Sequence, residues 1–419
     1  MKQSPVNFFL GLMAILAASI LLSSCLKKQD DEWNQPVSEL RIGALLALTG
    51  DGSSFGTSAA VSIRLGQQDI NAWLNAISKK TTVSVTIADT RTDTAVALDR
   101  LRDFYQKGIK YIVGPTTSAE LAALKPFADS HGMILVSPSS IAASLAIPND
   151  NIFRFVTSDL MQGQAMAELL LEDSVKAIIP VVRNDVWGND LIEATAAAFT
   201  ARGGMVMPVL HYAPDALNYA ELLTSADSLA GTLLTSYQSS QIAVYLCSFS
   251  EGTGLLKEAS NWHNLGLISW YGSSAYAQNP SPLTDTTAAS FASKHKLPCP
   301  TFGLDEACRD KWEPLKNRIK SVTGTNPDVY SLAAYDAVWV GIRTLLLSGT
   351  NVEIATFKSA FVTEAGNYWG VTGNCELDIN GDRKTCNYDF WAIRRNSSGF
   401  YWKVVASYNS ATGYITRIL

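Results

Sequence analysis

Long hydrophobic runs, basic clusters and histidines are all scarce in this chain of 419 residues, and each scarcity removes a class of function. Lys and Arg number 33 against 38 Asp and Glu, for a net charge of −5, and basic residues come no denser than pairs such as Lys79-Lys80. The electrostatic footprint that a nucleic acid requires is therefore missing, and no nucleic-acid partner is expected. The four histidines, His131, His211, His263 and His295, include no i, i+4 pair and none beside a cysteine pair, so no metal site of the usual spacing is written here. P-loop and HExxH patterns are absent, and neither an enzyme nor a cofactor is expected. What is present is 47% hydrophobic and 17% charged residues, enough apolar surface for a globular body. At this length a single core is exceeded, since cores stop growing near roughly 250 to 300 residues.

The longest apolar stretch, residues 8–22 behind Lys2, has 15 uncharged positions. That is the length of a signal-peptide h-region and short of the roughly 20 residues that span a bilayer. It ends in Leu22-Ser23-Ser24-Cys25, which resembles the lipobox of bacterial lipoproteins, whose cysteine is acylated after cleavage. The resemblance implies a signal peptide at 1–24, lipidation of Cys25, and a membrane partner through that anchor. Residues 25–39 are charged and aperiodic, and read as a tether. With Leu26 in place of Asp, the same resemblance implies a cell-envelope location, on the periplasmic or the cell-surface side of an outer membrane.

Five cysteines remain in an oxidising compartment, where bridges are expected. Asn380-Gly381 reads as a two-residue hairpin turn, and counting outward from it sets Cys375 opposite Cys386. Cys299 and Cys308 form the second expected pair, and Cys247, in an apolar run, is expected to be a buried thiol.

From Arg41 onward short aliphatic runs alternate with helical periodicity, the pattern of βαβ units and a parallel sheet. Strands are predicted at 42–48, 83–88, 111–113 and 134–136, with amphipathic helices between them. The first carries Ala59, Ile63, Gly66, Ile70, Trp73 and Ile77 on one face; Asp93 and Ser118 stand as N-caps of the next two. After 152–156 a second series of strands begins, at 177–182, 206–210, 242–247 and 267–271. Helices at 310–322 and 330–347, a hairpin and a last strand near 401–408 complete the chain. Two open α/β sheets side by side are the predicted architecture.

Ligands of such sheets bind beyond the carboxyl ends of the strands, so the loops there matter most. They contain Phe55, Thr117 and Ser118, Ser139, Ser140 and Ile141, Trp187, Ser248 and Phe249, and Ser274. Hydroxyls and helix N-terminal amides suit a carboxylate, and the aromatics supply apolar walls.

At this point the sequence is similar to a known family, the leucine/isoleucine/valine-type substrate-binding proteins of ABC importers. The carriers are IGALLALTGDGSSFG, IVGPTTS, GMILVSPSS, IFRFVTSD, DVWG, NPDVYSLAAYDAV and GVTGNCELDINGDR, in that order. The resemblance implies the type I periplasmic binding protein fold: two doubly wound parallel-sheet lobes joined by a three-crossover hinge near 155, 280 and 370. One lobe is expected from 40–155 plus 281–369, the other from 156–280 plus 370–419. It further implies a monomeric receptor closing on a small polar ligand, an amino acid, amide or related carboxylate, for an ABC permease. By the same resemblance Ser118 holds the ligand carboxylate, Ser139 and Ile141 contact its backbone, and Phe55 and Trp187 line the cleft. The segment Tyr271-Gly272-Ser273-Ser274 lacks the acid that pairs with a ligand ammonium, with Glu251 or Asp159 as substitutes. A rival expectation keeps the fold and discards transport, making the chain a lipoprotein that binds or regulates a cell-envelope protein.

Overall fold

The computed structural model describes residues 38–418. The expected signal peptide, Cys25 and most of the tether lie outside the described residues. Ser38 and Glu39, assigned to the tether, instead open the first strand, where the Ser38 amide bonds to the Lys80 carbonyl.

The first lobe begins β1 (Ser38–Leu46), α1 (Ser53–Ala76), β2 (Thr81–Asp89), α2 (Thr94–Gln106), β3 (Tyr111–Val113), α3 (Ser118–His131), β4 (Ile134–Ser137) and β5 (Ile152–Arg154). The strands are all parallel, in the order β2-β1-β3-β4-β5. Both faces are covered, which is why they read as continuous apolar runs. On α1 the buried face holds Ala59, Ile63, Gly66 and Ile70 as the periodicity requires, while Ile77 falls beyond the helix end and is exposed. Asp93 caps α2 by accepting from the Ala95 and Val96 amides. On α3 the cap is Thr117 rather than Ser118: its hydroxyl accepts from the Glu120 amide, and the Glu120 carboxylate accepts from the Thr117 amide and hydroxyl. Ser118 is thereby the first helical residue.

The second lobe repeats the plan with α4 (Asp159–Glu172), β6 (Ala177–Arg183), α5 (Val186–Thr200), β7 (Met205–Val206), β8 (Leu210–Tyr212), α6 (Ala220–Leu234), β9 (Ile242–Cys247), α7 (Gly252–Ala259) and β10 (Ser269–Gly272). Its parallel order is β10-β9-β6, with β7 and β8 both paired to β6. The single strand predicted at 206–210 is split because Pro208 lacks an amide donor for the ladder.

The packing moves two of the expected lobe boundaries, those near 280 and 370. Helices α8 (Ser281–Thr284) and α9 (Thr286–Lys294) and strand β11 (Cys299–Phe302), expected in the first lobe, pack with the second: Phe291 meets Trp270 edge-on at 5.2 Å. Helices α10 (Arg309–Thr323), α11 (Val329–Ser348) and α12 (Ile354–Asn367) return to the first lobe, where the Tyr111 hydroxyl donates to the Ala337 carbonyl at 2.7 Å. The short ribbon β12 (Trp369–Gly370) and β13 (Gly373–Asn374) stays there too, with Val371, Cys375 and Leu377 in first-lobe cores. The chain re-enters the second lobe for β14 (Tyr388–Asn396), β15 (Gly399–Asn409) and β16 (Tyr414–Arg417), which join β11 in an antiparallel sheet ordered β11-β14-β15-β16. The crossings therefore fall near 155–158, 303–308 and 383–388.

Two crossings run side by side. Arg154, fully buried, places Nε and Nη2 each 2.5 Å from the carboxylate oxygens of Asp382 and donates from Nη1 to the Ala142 carbonyl at 2.6 Å. Backbone bonds from Arg154 to Gly381 and from Arg383 to Arg154 zip the two segments together.

The expected disulfides are not formed: Cys247, Cys299, Cys308, Cys375 and Cys386 are all free and buried. Around the Asn380-Gly381 turn the ladder pairs Leu377 with Arg383, and the Asp378 amide with the Asp382 carbonyl, leaving three residues in the loop instead of two. That one-residue slip sets Cys375 opposite residue 385, and a slip of one turns a side chain to the other face. Cys375 sits in the first-lobe core, whereas Cys386 lies in the second beside the Thr157 hydroxyl at 2.9 Å. Cys299 and Cys308 likewise belong to separate cores.

Candidate ligand-binding cleft

In the first sheet the strand order reverses between β1 and β3, so the loops after these two strands diverge to opposite faces and open a crevice. The β1 loop is held by the Ala47 amide donating to Thr116 Oγ1 at 3.0 Å. Gly56 lets α1 start against it, because a Cβ there would stand 2.0 Å from the Ala47 carbonyl oxygen. Gly114 does the same for the β3 loop, with φ +116° and its missing Cβ 2.1 Å from the Leu45 carbonyl oxygen.

The second lobe closes the crevice from the other side. The cleft is lined by Gly52, Phe55, Thr116, Thr117, Ser118, Ser139, Ile141, Trp187, Phe249, Ser274, Ala275 and Tyr330. Eight of the ten residues singled out in the sequence meet there: Phe55, Thr117, Ser118, Ser139, Ile141, Trp187, Phe249 and Ser274. Ser140 and Ser248 stand behind the lining. The Ser140 hydroxyl donates to Ser118 Oγ at 3.0 Å, and the Ser248 amide donates to Ser273 Oγ at 3.2 Å. Of the lining residues that sequence reasoning misses, Gly52 and Thr116 lie in loops that it marks. Tyr330 is delivered by the start of α11, from 275 residues further along than Phe55, whose ring it meets edge-on at 5.8 Å.

Polar groups on the first-lobe side are fixed by their neighbours. Ser118 Oγ accepts from the Ile141 and Ala142 amides, both at 3.2 Å, and the Ser139 hydroxyl donates to the Thr116 carbonyl at 2.6 Å. On the second-lobe side Trp187 stacks on Phe249 at 4.8 Å and 28°. Arg183 lies over the Phe249 ring, its guanidinium carbon 4.6 Å from the ring centre. Three carboxylates surround Arg183: Asp185 at 2.8 Å, Glu251 at 3.0 Å and, from the first lobe, Asp51 at 3.1 Å. A second inter-lobe contact joins the Ser144 amide to Asp190 at 2.7 Å.

Neither acid considered as an ammonium partner lines the cleft. Glu251 Oε1 is taken up by Arg183, the Tyr212 hydroxyl and the Phe249 amide. Asp159 is fully buried, and burial pushes its carboxyl well above the usual range, with the Gln162 hydrogen bond and Arg154 opposing. Gln162 stands between it and the cleft, donating to Asp159 at 2.6 Å and accepting from the Ser274 amide at 2.9 Å. The cavity measures about 30 Å³, on the order of one or two water molecules. The lobes are drawn together, and a ligand of amino-acid size enters only when they separate. Among the described residues no group of three or more His, Cys, Asp or Glu is placed to hold a metal ion, and no helix is long and apolar enough to cross a membrane.

Comparison with known proteins agrees with this architecture. The profile of the receptor family ligand binding region matches residues 59–396. An uncharacterized protein of Methanocaldococcus jannaschii is 26% identical over 96% of this chain and 98% of its own. A Leu/Ile/Val-binding protein homolog of Brucella melitensis is 23% identical over 55% of this chain and 59% of its own. Among solved structures, the leucine-binding protein LivK of Thermotoga maritima superposes with a TM-score of 0.72 at 17% identity, over 87% of this chain and 98% of that one. A solute-binding protein of R. palustris in complex with benzoate gives 0.70 at 16% identity, over 88% and 96%. The fold is that of type I periplasmic binding proteins.

Proposed function

The chain belongs to the family of receptor ligand-binding regions, and from that premise we propose that it is an extracytoplasmic solute receptor, lipid-anchored through Cys25 and monomeric. In this reading it binds a small polar ligand between its lobes and presents the closed form to an ABC permease. The observation that carries it is the convergence of eight loop residues, chosen from strand ends across both lobes, on one cleft. Hydroxyls and helix-terminal amides face aromatic walls there, the mixture of few polar groups and apolar lining that small-ligand sites have. The hinge consists of the three crossings, and closure is a population shift that ligand contacts to both lobes favour.

The test is the thermal midpoint of the purified protein against amino acids, amides, short peptides and carboxylates, since binding to the native state raises the midpoint. A shift with one chemical class supports the receptor. Trp187→Ala, which removes the ring stacked on Phe249, is expected to weaken that ligand at least tenfold, and unchanged affinity would refute the cleft as its site. Silence across the panel favours the protein-partner reading.

A further inference from the structure

The lining of the cleft contains no charged side chain. Four helices nevertheless direct their N-termini at it: Gly52 and Phe55 open α1, Ser118 opens α3, Trp187 is the second residue of α5, and Tyr330 the second of α11. Each such terminus carries the equivalent of about half a positive charge on amides without helical acceptors. The α1 cap is a glycine with no acidic residue in the first turn, whereas on α3 the Glu120 carboxylate already accepts from the Thr117 amide and hydroxyl. Asp185, capping α5, is neutralised by Arg183 at 2.8 Å, and Asp328, capping α11, is engaged by the amide and hydroxyl of Ser331, both at 2.9 Å.

A ligand ammonium would need a carboxylate or free carbonyl oxygens facing it, and no carboxylate lines this cleft. The Thr116 carbonyl accepts from Ser139, the Ile141 carbonyl from the Asp159 amide, and the Ala142 carbonyl from Arg154. Asp159, whose Oδ2 has no partner, is fully buried and does not line the cleft, with Gln162 donating to its Oδ1. An ammonium buried here would lose its water without a partner, which is strongly unfavourable. By contrast, Ser274 is 1% exposed and lines the cleft, and its hydroxyl has no hydrogen-bond partner, a donor left for an incoming acceptor.

We propose that this cleft selects monocarboxylates that carry an aromatic or branched apolar body and no ammonium group, in preference to the matched α-amino acids. The carboxylate lies at the convergent helix N-termini, and the apolar body lies against Trp187, Phe249, Phe55 and Tyr330. This rests on the receptor reading and narrows its substrate class.

The experiment is titration calorimetry of the purified protein with matched pairs: 3-phenylpropanoate against L-phenylalanine, and 4-methyl-2-oxopentanoate against L-leucine, with leucinamide as the cation lacking a carboxylate. The expected result is that each acid binds at least tenfold tighter than its amino acid and that leucinamide does not bind. If an amino acid binds as tightly as its deaminated counterpart, or if only amides or peptides bind, the proposal is overturned and the receptor reading stands. If no compound of any class binds, both fall. Ser274→Asp adds the missing counter-charge and is expected to move the acid-to-amino-acid ratio at least tenfold toward the amino acid. An unchanged ratio in a folded variant would overturn the ammonium argument.

Discussion

Removing one charge at the mouth of the cleft tests whether the closed form is held by electrostatics. Asp51 reaches from the first lobe to Arg183 of the second at 3.1 Å, and its side chain is 43% exposed. At that distance and in the dielectric of water Coulomb's law gives about 1.3 kcal/mol. Side-chain ordering and salt reduce it, and exposed pairs typically measure about 0.2 to 1 kcal/mol. Arg183 keeps Asp185 and Glu251 when Asp51 is lost, so no bare buried charge is created and the loss stays near the middle of that range. Asp51→Asn therefore lowers the closed-to-open ratio by roughly two- to fivefold. Small-angle scattering of the ligand-free protein should show a larger radius of gyration, and ligand affinity should weaken by a similar factor. Both effects should shrink between low salt and roughly 0.5 M salt, where the screening length falls to the size of a side chain. An unchanged radius and affinity at low salt, or an equal effect at high salt, would refute the latch.

Two further predictions concern stability. Asp382→Asn strips the partner from fully buried Arg154 and should cost about 3 to 5 kcal/mol in denaturant unfolding, while pairing it with Arg154→Met should recover some of the loss; a cost below about 1 kcal/mol would contradict the pair's role. Burial, with Glu306 adding and Lys316 opposing, pushes the Asp389 carboxyl up to about 6, against roughly 3.9 in an unfolded chain. The folded protein thus holds a proton that the unfolded chain has released between these values, and stability falls as pH rises through that window. Asp389→Asn should raise the melting temperature at pH 7.5 and leave it nearly unchanged at pH 4, and an equal shift at both would rule out the carboxyl as the cause.

Strand and loop positions are legible because they depend on local pattern: apolar runs such as Ile242–Cys247 are buried on both faces, and the polar loops after them lie where parallel-sheet geometry sends them. What escapes depends on pairings distant in sequence. Nothing local marks β11 as a partner of β14, yet that pairing carries 281–302 into the second lobe. Hydrogen bonding by Asp378 to the Asn380 and Asp382 amides widens the Asn380-Gly381 turn by one residue, enough to separate a pair of cysteines that a tighter turn would have joined. Tyr330 cannot be chosen from its own surroundings, because what makes it a cleft residue is the meeting of α11 with α1 across the first lobe. Thr117 takes the capping role from Ser118 because Glu120 returns a bond to it, and this frees Ser118 to brace Ile141 and Ala142.

The three crossings also govern the order in which the molecule can be built. The first sheet is written by residue 154, but the helices that cover one of its faces begin at 309 and end at 367. The second sheet is written by residue 272, yet the strands that complete its lobe run to residue 417. Neither lobe has a finished core until nearly the whole chain is available, so a ribosome or a translocation channel that has released three quarters of it has released two half-covered sheets. Truncation from the carboxyl end should consequently unfold both lobes together, because each depends on elements that the chain supplies last.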